Sequence, residues 1–166
     1  MKMETLGDFA MSNLEVRRAT AQDAARLHGL MLALAEHEGL TAYLAATPDS
    51  LAQAMAAQPP RAAFLLAQIE GRAVGFVSWT RGYGVWRGGD YLNLDDLFVT
   101  EGARGAGVGE ALMRAFAEVA ALEGLGARWE VRTGNHGARR FYARLGAEQE
   151  EKTVVRWSSG AMRAAR

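Results

Sequence analysis

The sequence predicts an α/β fold, a single domain built on one mixed β-sheet flanked by helices. Short runs such as "LEVRRAT" and "AVGFVSWT" have the apolar content and alternation of strands, whereas "EALMRAFAEVAALEG" repeats its apolar residues at helical spacing. Between Tyr91 and Thr133 a strand, a glycine-rich turn, a helix and a further strand succeed one another, the order of a crossover connection. With 166 residues, 49% of them hydrophobic, the chain can bury one sizeable core.

Residues 1–13 read as a flexible tail, and the domain as 14–166. "LEVRRAT" opens it as a strand. Thr20 and Asp23 have capping-box spacing, and Leu27, Leu30, Met31 and Leu34 follow on one helical face. "TPDS" starts a second helix, with Thr47 as cap and Pro48 at its first position; "QPP" ends it near Gln58. "AAFLLAQIE" and "AVGFVSWT" form a hairpin across Glu70-Gly71-Arg72. After a connector, "RGYGVWRGG", comes the strand "YLNLDDLFV". The helix opening in the glycine loop closes at Gly124 or Gly126, "ARWEVRT" returns as a strand, "NHGARRFYARLGA" is an amphipathic helix and "EKTVVRW" a last strand. The expected order is βααβββαβαβ.

Four glycines in "EGARGAGVG" need a reason, because glycine costs about 0.5–1 kcal/mol relative to alanine inside regular structure. A helix N-terminus presents unpaired N–H groups and a partial positive charge, and glycines let an anion approach them. No Gly-Lys-Ser/Thr follows, so the loop is not a P-loop. Glu110 stands where a dinucleotide fingerprint needs its last glycine. What remains is Arg104-x-x-Gly107-x-Gly109.

Composition narrows the function classes. Nineteen basic and nineteen acidic residues balance, which disfavours nucleic acid or an anionic membrane as partner. There is no cysteine, hence no disulfide, thiol nucleophile or cysteine-ligated zinc, and the three histidines lack metal-ligand spacing. No apolar run approaches the roughly 20 residues of a membrane span and no secretory signal is legible; a cytoplasmic protein without a metal is expected.

Arg104-Gly105-Ala106-Gly107-Val108-Gly109 after an apolar strand, with "RRFYARLGA" some thirty residues on, resembles the Gcn5-related N-acetyltransferase (GNAT) superfamily. The likeness is closest to the diamine (spermidine/spermine) and thialysine acetyltransferases, at "RRAT" with Asp23, "LAEHE", "LDDLFV", the glycine loop, "FYARLGA" and the terminal "GAMR". It spans about residues 14–165. The sequence departs from that subgroup at Gly134-Asn135, where a tryptophan-asparagine pair is usual.

The resemblance implies the acyl-CoA N-acyltransferase fold and acetyl-CoA as co-substrate. Its pyrophosphate would rest on the N–H groups of Arg104, Gly105, Ala106, Gly107, Val108 and Gly109, with Glu110 closing the loop. The backbone of Leu97, Phe98 and Val99 would pair with the pantetheine arm, and Asn135 would make a second contact. Tyr142 occupies the position of a general acid for the departing thiolate. Asp95 and Asp96 replace a glutamate-aspartate pair. Since strand side chains alternate, one of them is expected to face the cleft, and Asp95 is read as the amine contact and route for its proton. Glu38, with His37 beside it, matches a contact to a cationic acceptor. A homodimer is implied as well.

These residues point to acetyl transfer to a primary amine of a small cationic metabolite, by direct attack. Two alternatives stay open: another amine acceptor (amino acid, aminoglycoside or protein N-terminus), and a CoA-binding regulatory module without turnover.

Overall fold

The computed structural model describes residues 13–165, so all but the last residue of the expected tail lies outside the described residues. The chain divides between Trp129 and Glu130 into two compact units.

The first unit is a five-stranded sheet of sequential order: β1 (Leu14–Arg18), β2 (Ala63–Ile69), β3 (Arg72–Gly84), β4 (Gly89–Val99) and β5 (Ala127–Arg128). The first four are antiparallel and β5 joins β4 in parallel, as the crossover predicted. Glu70 and Gly71, at φ 50° and 75°, make the tight turn between β2 and β3, whose left-handed angles glycine adopts without penalty. The "RGYGVWRGG" connector is largely strand: β3 and β4 run into it and leave a turn at Val85–Gly88.

Helices cover both faces. On one, α1 (Ala24–Glu38) and α2 (Pro48–Ala56) bring Leu27, Leu30 and Leu51 against Phe64, Leu66, Phe76 and Phe98. On the other, α3 (Val108–Glu123) buries Val108, Leu112, Met113, Phe116 and Ala120, one apolar stripe at helical spacing. Phe116 meets Trp79 edge-on, with 5.3 Å between centroids. Gly75 permits this closeness, since a Cβ there would lie 2.7 Å from the Phe98 carbonyl oxygen and 3.3 Å from Leu112.

The start signals act as read. Asp23 accepts from the Thr20 N–H at 2.9 Å, and the Ser50 N–H donates to Thr47 Oγ1 at 3.1 Å with Pro48 next in the chain. Gly124, at φ 67°, ends α3.

The second unit holds α4 (His136–Arg144) and α5 (Ser159–Ala164). Two strand expectations fail in part. "ARWEVRT" contributes only the two residues of β5, and 150–157 has no regular structure. β-branched residues favour an extended chain, but a strand exists only where an edge accepts its hydrogen bonds, and none pairs with 150–157 among the described residues. Val155 and Trp157 are left 84% and 60% exposed.

Candidate active site

The glycine loop folds as a cradle. After the turn at Glu101–Ala103, Gly105 (φ 79°) and Gly107 (φ 75°) take left-handed conformations that reverse the chain into α3. Ala111 is the first residue whose N–H finds a carbonyl one turn back, on Gly107 at 2.9 Å. The N–H groups of Val108, Gly109 and Glu110 therefore precede the helix ladder. Val108 anchors the turn with a buried side chain, and a Cβ added at Gly105 would meet nothing within 4 Å. Glu110 bonds Arg114 at 3.0 and 2.7 Å along the helix surface. An open, glycine-lined turn at a helix N-terminus fits a phosphate group.

Beside it, no strand among the described residues pairs with the outer edge of β4 beyond Asn93. β5 matches β4 only at Leu92 and Asn93. Further along, the Asp96 N–H reaches Ser78 Oγ (3.1 Å) and the Thr100 N–H the Val74 carbonyl (2.9 Å), both toward β3. Backbone groups alternate along a strand, so those of Leu97 and Val99 point away from β3. Phe98 differs from the expectation: its backbone faces β3, opposite Phe76, and its ring is core, so Leu97 and Val99 alone of the three present the edge. Arg104 Nε donates to the Val99 carbonyl at 3.1 Å, tying loop to edge.

The expectation that Asp95 and Asp96 face opposite sides is corrected by a bulge. Ser78 pairs with Asp96 and Trp79 with Leu94, which leaves Asp95 as an extra residue on β4. Asp96 shares a face with Ser78 and Phe98. Asp95 bonds Asn93, whose register partner Thr80 is on that face too; Asn93 Nδ2 donates to Asp95 Oδ1 at 2.6 Å. Both carboxyls thus lie on the α1 side, where the apolar cluster of Phe64, Phe76 and Phe98 ends. Partial burial raises the pKa of each; hydrogen bonds from Asn93 and Thr80 oppose the rise at Asp95. At Asp96 the neighbouring Asp95 charge adds to it and Ser78 opposes it.

Sequence reading missed Asn93, Thr80 and the bulge, although a signal exists. Leu92 and Leu94 set one alternation and Leu97 and Val99 the other, a shift of phase that an inserted residue explains. His37 and Glu38 are exposed at the C-terminal end of α1, before Gly39 at φ 68°. In the second unit, Asn135 caps α4 by accepting the Ala138 N–H at 3.0 Å, and Tyr142 is a buried residue of that helix. Among the described residues no group of acidic or histidine side chains could hold a metal ion, and no helix is long and apolar enough to cross a membrane.

A strand edge that leads into a glycine-lined helix start, on an antiparallel sheet with one parallel crossover, is the arrangement of an α/β transferase fold. The chain belongs to the acetyltransferase (GNAT) family, whose sequence profile matches residues 31–147, and is an acetyl-CoA-dependent N-acetyltransferase. No curated protein matches the sequence. Similar solved structures include an aminoglycoside acetyltransferase from an uncultured soil metagenomic sample (15% identity, 89% of this chain and 97% of that one, TM-score 0.77). A ribosomal-protein-alanine N-acetyltransferase from Brucella melitensis biovar Abortus is 18% identical over 87% and 99% of the two chains, with TM-score 0.66. An aminoglycoside N-acetyltransferase in complex with CoA is 18% identical over 88% and 95%, with TM-score 0.68. At these identities the likeness is one of fold.

Proposed function

We propose that this acetyltransferase acetylates a primary amine of a small cationic metabolite, a diamine, polyamine or thialysine-like compound. The observation that carries the reading is the bulge, which turns two carboxyls to one face of β4 beside the edge assigned to the thioester arm. A carboxylate attracts an ammonium group and can take its proton, directly or through water, and the freed lone pair can then attack the thioester carbonyl.

The remaining roles follow the family resemblance. The Arg104–Glu110 turn holds the pyrophosphate, Leu97 and Val99 pair with the pantetheine arm, and a backbone N–H near Val99 faces the developing oxyanion. When the carbon–sulfur bond breaks, Tyr142 returns a proton to the thiolate. Asn135 makes the second CoA contact, and Glu38 with His37 receives the acceptor's distal charge.

A second reading has its own support, because several of the similar folds carry the name aminoglycoside acetyltransferase. An aminoglycoside is also a polycation, so the carboxyls suit it equally. Thiol release from acetyl-CoA decides, measured with a panel of diamines, thialysine, an aminoglycoside, free amino acids and an N-terminal peptide. Preference for diamines or thialysine supports the first reading and preference for the aminoglycoside replaces it. Binding of CoA with no thiol release on any amine leaves a regulatory module.

Cytoplasmic location and a homodimer complete the proposal. The exposed Val154, Val155, Trp157 and Met162 are the apolar residues offered to a second copy. Light scattering near 36 kDa, twice the 17.9 kDa chain, is the expected result, and a monomer at micromolar concentration overturns it.

A further inference from the structure

The bulge sets two carboxyls on one face, and nearby carboxyls compete for protons. Their surroundings are unequal. Asp95 receives a short hydrogen bond from Asn93 and one from Thr80, the register partner of Asn93 on β3. Asp96 lies deeper, with only the Ser78 hydroxyl to stabilise its charge and with the Asp95 charge against it. Donors to a carboxylate favour its ionised form, whereas burial and a like charge favour the protonated one.

We propose that Asn93 and Thr80 are positioning residues that fix the negative charge of the pair on Asp95 and leave the shared proton to Asp96. Asp95 is then the group that accepts a proton from the acceptor ammonium. Asn93 also holds the carboxyl in one orientation on a bulge whose backbone has lost its ladder partner. The inference deepens the proposed function and rests on it for the role of Asp95.

A cation, Arg128, shares the face of the pair. On the same face lie Ser78 and Thr80 of β3, Tyr91 of β4 and the cationic Arg128 of β5, which is the register partner of Asn93 and sits over the Tyr91 ring at 5.3 Å; Arg81, on the opposite face, is engaged by Asp90 and Glu123. From α1, Arg26 lies 3.9 Å from Asp23, His28 bonds the Ala46 carbonyl, and Glu36, His37 and Glu38 are exposed near its end.

The test is the pH profile of kcat/KM for Asn93→Ala, read with the best amine of the panel, together with an NMR titration of the Asp95 carboxyl. Loss of the donor should move both the acidic limb and the titration upward by about half to one pH unit, the worth of one hydrogen bond to a charged group. The KM for acetyl-CoA should stay unchanged. In an Asp95→Asn background the same substitution should shift nothing further. If Asn93→Ala fails to fold, Thr80→Val removes the other donor and should give a smaller shift of the same sign. A titration at its wild-type position in a folded variant overturns the inference, and so does a limb shift that persists without Asp95. If the wild-type protein acetylates no amine, the underlying reading fails instead, and the carboxyl titration still reports whether Asn93 governs Asp95.

Discussion

Arg17 grips Asp23 through both terminal nitrogens, at 2.8 and 2.7 Å, and turns its Nε to Gln68 Oε1 at 2.9 Å. Gln68 in turn donates to the Gly71 carbonyl at 3.1 Å, so one guanidinium ties β1, the start of α1 and the β2–β3 turn together. The Arg17 pair holds the nearly buried Asp23 carboxyl far below the usual carboxylate range.

Asp23→Asn is therefore expected to cost about 2–3 kcal/mol at pH 7, the loss of charge-assisted bonds around a buried cap. The sign with pH follows from the depressed value. The stabilisation is complete above the unfolded pKa, near 4, and disappears as pH falls through and below it. Denaturant melts of the wild type should lose stability across that window, and the variant's curve should be flatter. Equal slopes would mean that the pair is not what fixes α1.

The cradle calls for a substitution that does not strain the backbone. A side chain at Gly107 would be forced into a left-handed conformation at φ 75°, so loss of binding there would mix strain with contact. Gly109, on the first turn of α3, is the cleaner site. Gly109→Glu places a negative charge that the helix dipole tolerates but a pyrophosphate does not. Acetyl-CoA affinity by calorimetry should fall at least tenfold with the melting temperature nearly unchanged; wild-type affinity would remove the loop from the cofactor site.

Much of this geometry was legible in the sequence. The caps at Thr20 and Thr47, the Glu70-Gly71 turn, the crossover after β4 and the glycine loop are short-range chemistry, fixed by residues within a few positions of one another. The failures share a cause of another kind. "EKTVVRW" has strand propensity but pairs with no strand among the described residues, and the direction of Asp95 depends on a bulge defined only against β3. Long-range pairing decided both, and periodicity within one segment reports it only through the shift of phase between Leu94 and Leu97.

Asp96 should lower stability while serving the site. Its folded pKa is raised, so above the ordinary carboxylate range the unfolded state holds fewer protons than the folded one, and stability falls as pH rises. Asp96→Asn should remove that penalty and melt a few degrees higher than wild type at pH 7–8, with the advantage vanishing near pH 4. A lower melting temperature at neutral pH would show that the ionised carboxylate is well compensated where it lies.

Tyr142→Phe deletes one hydroxyl and keeps the ring in its buried place on α4. If Tyr142 protonates the departing thiolate, kcat should drop by about 10²–10⁴-fold with acetyl-CoA affinity little changed. A wild-type kcat would assign that proton to water or to another residue.

The acceptor is tested from the far end of its charge. A diamine carries one amine to be acetylated and a second that stays cationic, and a carboxylate in a groove holds such a cation better than a neutral group does. Glu38 ends α1, where the helix dipole disfavours an acid, so the sequence accepts a small cost to place one there. If Glu38 binds the distal cation, the contact serves ground and transition states alike, and Glu38→Gln should raise KM for diamines about tenfold with kcat unchanged. Monoamines lack the second charge and should be acetylated as before. Asp95→Asn should behave differently, lowering kcat and flattening the acidic limb, because its charge acts on the reacting amine. Should Glu38→Gln leave diamine kinetics untouched while Asp95→Asn abolishes turnover, the carboxyls on β4 suffice for the amine and the acceptor is read by something other than its distal charge.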